Sequence, residues 1–313
     1  MNPGAAGATA LTCTEWRGWS SQHIAPLLQS EAERWARDFF WDQRWSFTNV
    51  EAARESGRLP GIVVTDAAGA TRGWTFFLRH GDQFQVGTVV SDSEDATRAL
   101  VDAALASPLA EAADVVVFSP AAPGLSEALQ AHAIRTEPYD YLVLADAPAA
   151  FDARRAPDGV VCRALVGSDL GAVAALVGEA YRHTTFLRPF VPGGDPDDWR
   201  DYVGQLVDTR GCGEFLADAS VVIDGDADPG SLRGALLATR LSSDTGHIAQ
   251  VMVSAHARGG GLARRMLERS LSALHGHGLR RVSLLVARTN IPARTLYLAM
   301  GFQPAGTFLT GIR

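Results

Sequence analysis

Lysine is absent from this chain of 313 residues, so all 28 of its basic residues are arginine. Without lysine the chain cannot contain the G-x-x-x-x-G-K-[ST] phosphate loop of P-loop nucleotide-binding proteins. Cysteine is scarce as well. Cys13, Cys162 and Cys212 are odd in number and far apart, which argues against a disulfide framework or a zinc site. We expect these three cysteines to be small buried residues.

Charge and hydropathy exclude further classes of protein. No apolar run approaches the roughly 18 residues that a membrane-spanning helix needs, and the first ten residues lack the basic and apolar regions of a signal peptide. We therefore expect no membrane association and a cytoplasmic location. The formal net charge of -7, without basic stripes, argues against a nucleic-acid partner. No spacing of histidines or carboxylates is typical of a metal site, so no metal is expected.

A glycine-rich turn is the most informative feature that the sequence does contain. It joins an apolar strand, His247–Val253, to an amphipathic helix, Leu262–His275, and reads Ser-Ala-His-Ala-Arg-Gly-Gly-Gly. Glycine lets the backbone approach an anion closely, and the free N–H groups of a helix's first turn point towards it. The G-x-G-x-x-G spacing of dinucleotide-binding folds is absent. The turn predicts a phosphate or pyrophosphate ligand of another kind.

Two motifs in the C-terminal half resemble those of one enzyme family. Arg258-x-x-Gly261-x-Ala263 is similar to the acyl-CoA signature of the GNAT acetyltransferases. Downstream, Asn290-x-x-Ala293-x-x-Leu296-Tyr297-x-x-x-Gly301-Phe302 resembles a second element of the same family. The resemblance implies an N-acyltransferase that uses acetyl-CoA as its cosubstrate, needs no metal, and transfers the acetyl group directly to a primary amine of a small molecule.

The resemblance also implies two catalytic residues. His247 stands eleven positions before Arg258, where some members of the family carry a general base, and histidine titrates near neutral pH. The alternative for His247 is a solvent-exposed residue at a hairpin end. Tyr297 corresponds to the tyrosine that gives a proton to the departing CoA sulfur, since a phenol stays protonated at neutral pH. The alternative for Tyr297 is a packed core aromatic.

Binding of the cosubstrate is assigned by the same resemblance. Asn290 would bond the pantetheine arm, or serve only as the N-cap of its helix, or do both. The backbone N–H of Val251 would polarise the thioester carbonyl, and that of Val253 would bond the pantetheine amides. Arg264 or Arg265 would pair with an outer phosphate, unless both are solvated surface residues. The residues expected to surround the pyrophosphate are Arg258, Gly259, Gly260, Gly261, Leu262 and Ala263.

The fold class expected is α/β (α+β), with two tandem GNAT-like domains, each a mixed, mostly antiparallel twisted sheet flanked by helices. Residues 145–159 are rich in alanine, proline and charge, and predict a linker between a domain at 1–148 and a catalytic domain at 158–313. Only about eleven residues follow Phe302, so we expect a neighbouring domain or subunit to complete the second sheet. The chain could be a monomer or a homodimer. Further predicted elements are strands at 160–165, 214–223 and 233–241 and helices at 169–183, with Asp169 as N-cap, and at 197–209.

The first half repeats the plan of the second with one informative failure. After the strand that ends at Val90, the turn Ser91–Thr97 contains three acidic residues and no glycine. Carboxylates at a helix N-terminus would take the place of an anion and repel a pyrophosphate. We therefore expect a degenerate GNAT-like domain that does not bind CoA.

Several alternatives remain open at the level of sequence. A mycothiol-synthase-like enzyme, which also has tandem GNAT-like domains, would acetylate the amine of a sugar-linked cysteine. A non-catalytic acyl-CoA sensor or scaffold is the third possibility, and Tyr297 and Asn290 count against it. Residues 183–199, in the region that forms one wall of the acceptor site in relatives, carry aromatics, carboxylates and Arg188. These signals conflict, so no acceptor is named.

Overall fold

The computed structural model describes residues 10–147, 160–181, 194–209, 211–225 and 230–313. The contacts divide the chain into two compact units, which are described separately below. Unit 1 consists of Met1–Arg34, Gln43–Pro138 and Thr307–Arg313, and unit 2 of Trp35–Asp42 and Tyr139–Gly306. Most of the predicted linker, residues 148–159, lies outside the described residues.

Unit 1 is built on a mixed sheet with helices packed against it. Strands β1 to β4 pair antiparallel in sequence order, β4 pairs parallel with β5, and residues 308–312 pair antiparallel with β5. The elements that begin in this unit are β1 (Thr12–Glu15), α1 (Ser21–Asp38), α2 (Arg44–Glu55), β2 (Gly61–Thr65), β3 (Thr71–His80), β4 (Gln83–Ser91), α3 (Glu94–Leu105), β5 (Asp114–Pro120), α4 (Leu125–Ala131) and β6 (Arg135–Leu144).

Unit 2 has a sheet of the same plan. Strand β10 pairs antiparallel with β8, β9 and β11, and β9 pairs with β7. Strand β11 pairs parallel with β12, which pairs antiparallel with residues 139–144 of β6. The remaining elements are β7 (Arg163–Ala164), α5 (Leu170–Tyr181), α6 (Pro196–Asp208), β8 (Glu214–Phe215), β9 (Val221–Asp224), β10 (Leu232–Arg240), β11 (Thr245–Val253), α7 (Leu262–Gly276), β12 (Arg281–Ala287), α8 (Ile291–Ala299) and β13 (Gln303–Ile312).

The sheet of unit 2 is covered on both faces, which explains why its central strands are almost continuously apolar. Helix α7 packs on one face through residues three and four positions apart, among them Met266, Leu267 and Leu271. Helices α5 and α6 cover the other face through side chains such as Val177 and Val203. The predicted fold class, a mixed and mostly antiparallel sheet flanked by helices, is confirmed for both units.

Two local predictions in unit 2 differ from the structure. The strand predicted at 214–223 is two short strands, β8 and β9, because the backbone turns between them at Leu216–Ser220. Asp169 is not the N-cap of α5. Its carboxylate accepts the backbone N–H of Val166 and forms a bidentate ion pair with Arg163, which also lowers the pKa of Asp169.

The terminal strand of each half belongs to the opposite unit. Residues 139–144 of β6, which precede the linker, complete the sheet of unit 2, and the last strand of the chain, β13, supplies residues 308–312 to unit 1. Ala147 is also buried in the core of unit 2. The sheet of unit 2 was expected to need strands from the few residues after Phe302. Residues 139–144, from the first half of the chain, take that place beside β12. The domain boundaries at 148 and 158 stay a prediction.

Candidate active site

A cavity of about 430 Å³ lies entirely within unit 2, a volume in the usual range for small-molecule sites. It is bounded by the end of α5, the second half of β11, the glycine-rich turn with the start of α7, and helix α8. The described residues that line it are Ala180, Tyr181, Val251, Met252, Val253, Ala257, Arg258, Gly259, Gly261, Leu262, Ala263, Arg264, Asn290, Pro292, Ala293, Leu296 and Tyr297.

Strand β11 turns backbone N–H groups towards this cavity. Its parallel pairing with β12 ends at Ile248 and Leu284. On the other edge, Ser254 donates its N–H to the carbonyl of Arg233 on β10. Because hydrogen-bonded pairs alternate along an antiparallel ladder, the backbone N–H and C=O groups of Val251 and Val253 point away from β10 and towards the cavity. These are the two residues to which the sequence assigned backbone roles.

The start of α7 provides a site for an anion. Gly259 and Gly261 have φ angles of +80° and +74°, in the left-handed region that favours glycine. Gly261 is the N-cap, no side chain caps this helix, and its first turn contains no acidic residue. The first-turn N–H groups and the positive end of the helix dipole therefore face the cavity. Gly260 is the one predicted pyrophosphate residue that does not line it.

The side chains of Arg258 and Glu179 hold the turn in place. Arg258 donates from Nε to the carbonyl of Val253 at 3.3 Å and from Nη2 to the carbonyl of Ala180 at 3.2 Å. The Glu179 carboxylate accepts the N–H of Ala255 at 2.9 Å. Arg258 thus joins the ends of β11 and α5. Arg264 lines the cavity, and its Nη1 lies 3.7 Å from Oε1 of the partly buried Glu268, a distance at which an ion pair contributes little.

Helix α8 supplies the two other predicted residues. Asn290 is its N-cap and accepts the N–H of Ala293 through Oδ1 at 3.4 Å, while it also lines the cavity. Tyr297 lines the cavity as well, and its ring packs on Phe302. Burial, together with the neighbouring Tyr181, raises the pKa of Tyr297 well above that of a free phenol. The phenol is therefore protonated at neutral pH and is a hydrogen-bond donor in the cavity.

His247 is separated from these residues. Its side chain is 3% exposed and does not line the cavity, so the alternative of a solvent-exposed hairpin residue is wrong. Nδ1 lies 2.9 Å from the hydroxyl of Ser283 on β12, and the ring lies 5.6 Å from that of Trp41, in the Trp35–Asp42 segment of unit 2. Burial lowers the pKa of His247 to about 4, so the imidazole is neutral at pH 7. Its role as a base stays a prediction.

Sequence reasoning missed a group of polar residues at one end of the cavity. Tyr181 lines the cavity and donates a hydrogen bond to Oε1 of Gln250 at 3.0 Å, and Gln250 in turn donates to the hydroxyl of Tyr202. A signal for Tyr181 did exist. It follows the buried Val173 and Val177 at intervals of four residues, which places all three on one face of α5.

Unit 1 lacks the corresponding arrangement. Only Asp92 and Ser93 join β4 to α3, whereas residues 254–261 join β11 to α7. The Ser93 hydroxyl caps α3, and Glu94 and Asp95 occupy its first turn. By the register of the parallel pairs, Val89 corresponds to Val251. Its N–H is already bonded to the Ser119 hydroxyl at 2.9 Å.

Some expectations concern residues beyond the described parts. Of the predicted acceptor segment, residues 183–193 lie outside them, and in the remainder Trp199 donates from its indole N–H to the carbonyl of Gly194. The described helices include none long and apolar enough to cross a membrane. Among the described residues there is also no group of three histidine, cysteine or carboxylate side chains placed to hold a metal ion.

Comparisons with known proteins agree on one family. The model of the acetyltransferase (GNAT) family matches residues 182–302. A tandem GNAT protein from the clavulanic acid biosynthesis pathway is similar over 97% of this chain and 98% of its own, with a TM-score of 0.58 and 16% identity. A GCN5-related N-acetyltransferase from Sphaerobacter thermophilus covers 81% of this chain and 80% of its own, with a TM-score of 0.58 and 20% identity.

At such identities the solved structures establish the fold. No curated protein matches the sequence with significance. The family match covers the glycine-rich turn, strands β11 and β12, and the Asn290–Phe302 element. The second half of this chain therefore contains a domain of the GNAT acetyltransferase family, and the chain as a whole has the fold of a tandem GNAT protein.

Proposed function

We propose that unit 2 is an acyl-CoA-dependent N-acyltransferase that moves an acetyl group from acetyl-CoA to a primary amine of a small molecule. The observation that carries this proposal is that three groups face one cavity: the uncapped N-terminus of α7, the backbone N–H groups of Val251 and Val253, and the phenol of Tyr297. A pyrophosphate, a thioester carbonyl and a thiolate need these three groups respectively.

The chemistry assigned to these groups is direct transfer. The amine nitrogen attacks the thioester carbonyl, a C–N bond forms, and the C–S bond breaks. The N–H of Val251 stabilises the negative charge that develops on the carbonyl oxygen, because it is held in place and is not occupied by β10. Tyr297 gives its proton to the departing sulfur, and the proton lost by the amine passes to a base.

The candidate for that base is His247, which the family resemblance names. His247 is neutral at pH 7, as a base must be, but a pKa of about 4 makes it weak. The side chain also lies among Ser283 and Trp41 and outside the cavity. We retain His247 as the sequence-based hypothesis, to be judged by its effect on turnover and not by its position.

We propose further that each chain has one acyl-CoA site. In unit 1 the short β4–α3 turn leaves no loop to surround a pyrophosphate, and Glu94 and Asp95 carry negative charge where the anion would bind. The hydroxyl of Ser119 occupies the N–H of Val89, the counterpart of the thioester-polarising group. Three independent features of unit 1 therefore oppose the same ligand, and the degenerate character expected from the sequence has a physical basis.

Calorimetric titration of the full chain with acetyl-CoA, followed by release of free CoA thiol with a panel of amines, tests the proposal. We expect one acetyl-CoA per chain and turnover with at least one amine. The panel should include a cysteinyl-glucosamine-inositol compound, because its selective use would identify the mycothiol-synthase-like alternative. Absence of acetyl-CoA binding would overturn the proposal, two bound molecules would overturn the single site, and tight binding without turnover would favour the sensor or scaffold.

A further inference from the structure

The walls of the cavity differ in bulk from one end to the other. Beside the glycine-rich turn and along α8, small side chains leave room for a ligand: Ala180, Ala257, Ala263 and Ala293. Two tyrosines, Tyr181 and Tyr297, contribute the large rings. Tyr297 has a role in the proposed reaction, whereas Tyr181 has none.

Tyr181 lies next to Val251, the residue whose N–H the proposed reaction uses. Its hydroxyl is 3.5 Å from the carbonyl oxygen of Val251, which faces the cavity together with the N–H of the same residue. Val251 is two residues before Val253 on β11, about 7 Å further from the glycine-rich turn. An acyl group whose carbonyl is bound to the Val251 N–H would therefore meet the Tyr181 ring at the end remote from the phosphates.

The ring of Tyr181 is held firmly in this position. Its hydroxyl donates to Oε1 of Gln250, and the amide nitrogen of Gln250 donates to the hydroxyl of Tyr202 on α6. Gln250 is buried, and Tyr202 packs with the cluster that covers that face of the sheet. Burial raises the pKa of Tyr181 to about 12, so the phenol remains an uncharged donor at neutral pH. Moving the ring aside would take the Tyr181 donor away from Oε1 of the buried Gln250.

We propose that Tyr181 closes the acyl end of the cavity and restricts the donor to short acyl groups such as acetyl. Tyr181 would be a specificity-determining residue, and its hydrogen bond to Gln250 would keep the ring from yielding to a longer chain. This proposal rests on the proposed function, since it needs the acyl group at Val251. The ring of Tyr181 would distinguish donors that differ only in acyl chain length, which the glycine-rich turn and the backbone N–H groups of β11 cannot do.

The test compares the binding of CoA, acetyl-CoA, butyryl-CoA and hexanoyl-CoA by calorimetry, which needs no acceptor. For the unaltered chain we expect butyryl-CoA and hexanoyl-CoA to bind at least about tenfold more weakly than acetyl-CoA, because extra methylenes have no space. Tyr181→Ala should remove this difference and bring hexanoyl-CoA to within about twofold of acetyl-CoA. Tyr181→Phe, which keeps the ring, should retain most of the discrimination and is the matched control.

Free CoA serves as the reference for folding, because it lacks the acyl group and should bind all variants alike. If Tyr181→Ala fails to fold, Tyr181→Leu gives the same comparison with less loss of volume. Equal affinity of the unaltered chain for all chain lengths, or discrimination that persists in a Tyr181→Ala variant that binds CoA, overturns the assignment of Tyr181. Failure of every form to bind CoA would instead overturn the proposed function.

Discussion

Replacing His247 with glutamine should change how the stability of the protein depends on pH. In the folded chain burial lowers the pKa of His247 to about 4, against about 6.5 for a free histidine side chain. The folded state therefore resists protonation while the unfolded state takes up a proton as soon as the pH falls below about 6.5. The contribution of the neutral His247 to the unfolding free energy is fully present above pH 6.5. It is lost as the pH falls, and the loss is complete below about pH 4.

The magnitude follows from the two pKa values. A difference of about 2.5 units corresponds to roughly 3 kcal/mol of unfolding free energy over the whole range. About 2 kcal/mol of this is lost between pH 7 and pH 5, where most carboxylates are still ionised. His247→Gln keeps a polar side chain next to Ser283 but cannot titrate, so it should lose about 2 kcal/mol less than the unaltered chain over that interval.

Urea unfolding curves at pH 7, 6 and 5 measure the effect, with fluorescence and circular dichroism followed together because two units need not unfold in one transition. His256→Gln, at an exposed position of the same unit, is the control for exchanging a histidine for an amide. Parallel pH curves for the unaltered chain and His247→Gln would refute the reasoning. They would show that the imidazole titrates as a free group does, which would also strengthen its case as a catalytic base.

Three other substitutions test separate parts of the structure. Tyr297→Phe should lower kcat by roughly 10²-fold or more while acetyl-CoA affinity stays within about twofold, because only the departing sulfur needs the proton; a steady-state assay beside calorimetry decides, and unchanged kcat would contradict the acid role. Gly261→Ala should weaken acetyl-CoA binding about fivefold or more, because a residue with a side chain pays about 1 kcal/mol to adopt the φ of +74° at this position. The control Gly260→Ala should bind acetyl-CoA normally, because its added Cβ meets only the Ala257 carbonyl at 3.5 Å. Asp140→Asn should lower the unfolding free energy by about 1 to 2 kcal/mol, because this buried carboxylate pairs with the half-exposed Arg288 and Arg294. Burial opposes the charged form of Asp140, but the two arginines outweigh it and lower the pKa of the carboxyl group. In thermal melts the control Asp146→Asn, at an exposed position, should differ little from the unaltered chain.

The sequence predicts best what depends on local spacing. Helix α7 begins at Leu262 and strand β12 spans Arg281–Ala287, both as expected, because a glycine-rich turn and a buried apolar run are set by neighbouring residues. The cavity residues assigned by the motifs also come together, from Val251 to Tyr297. In each of these cases the chemistry of a residue and its position along one element were sufficient.

What escaped the sequence depends on contacts between distant segments. Nothing near His247 in the sequence indicates that Trp41, more than 200 positions earlier, covers it and removes it from solvent. The same holds for the pairing of residues 139–144 with β12, which joins two segments that lie far apart in the sequence. Asp169 was misassigned because Arg163, on a strand of only two residues, offered its carboxylate a stronger partner than a helix N-terminus.

The exchange of terminal strands has a consequence for how this protein is made. Residues 307–313, which belong to unit 1, are translated after all of unit 2. While unit 2 is synthesised, one edge of β5 therefore lacks the strand 308–312 that pairs with it, although the rest of unit 1 has already been translated. The reverse order holds for unit 2, whose edge strand is delivered before the sheet that receives it. A gene cut at the linker would encode two fragments, each lacking a strand that the other carries.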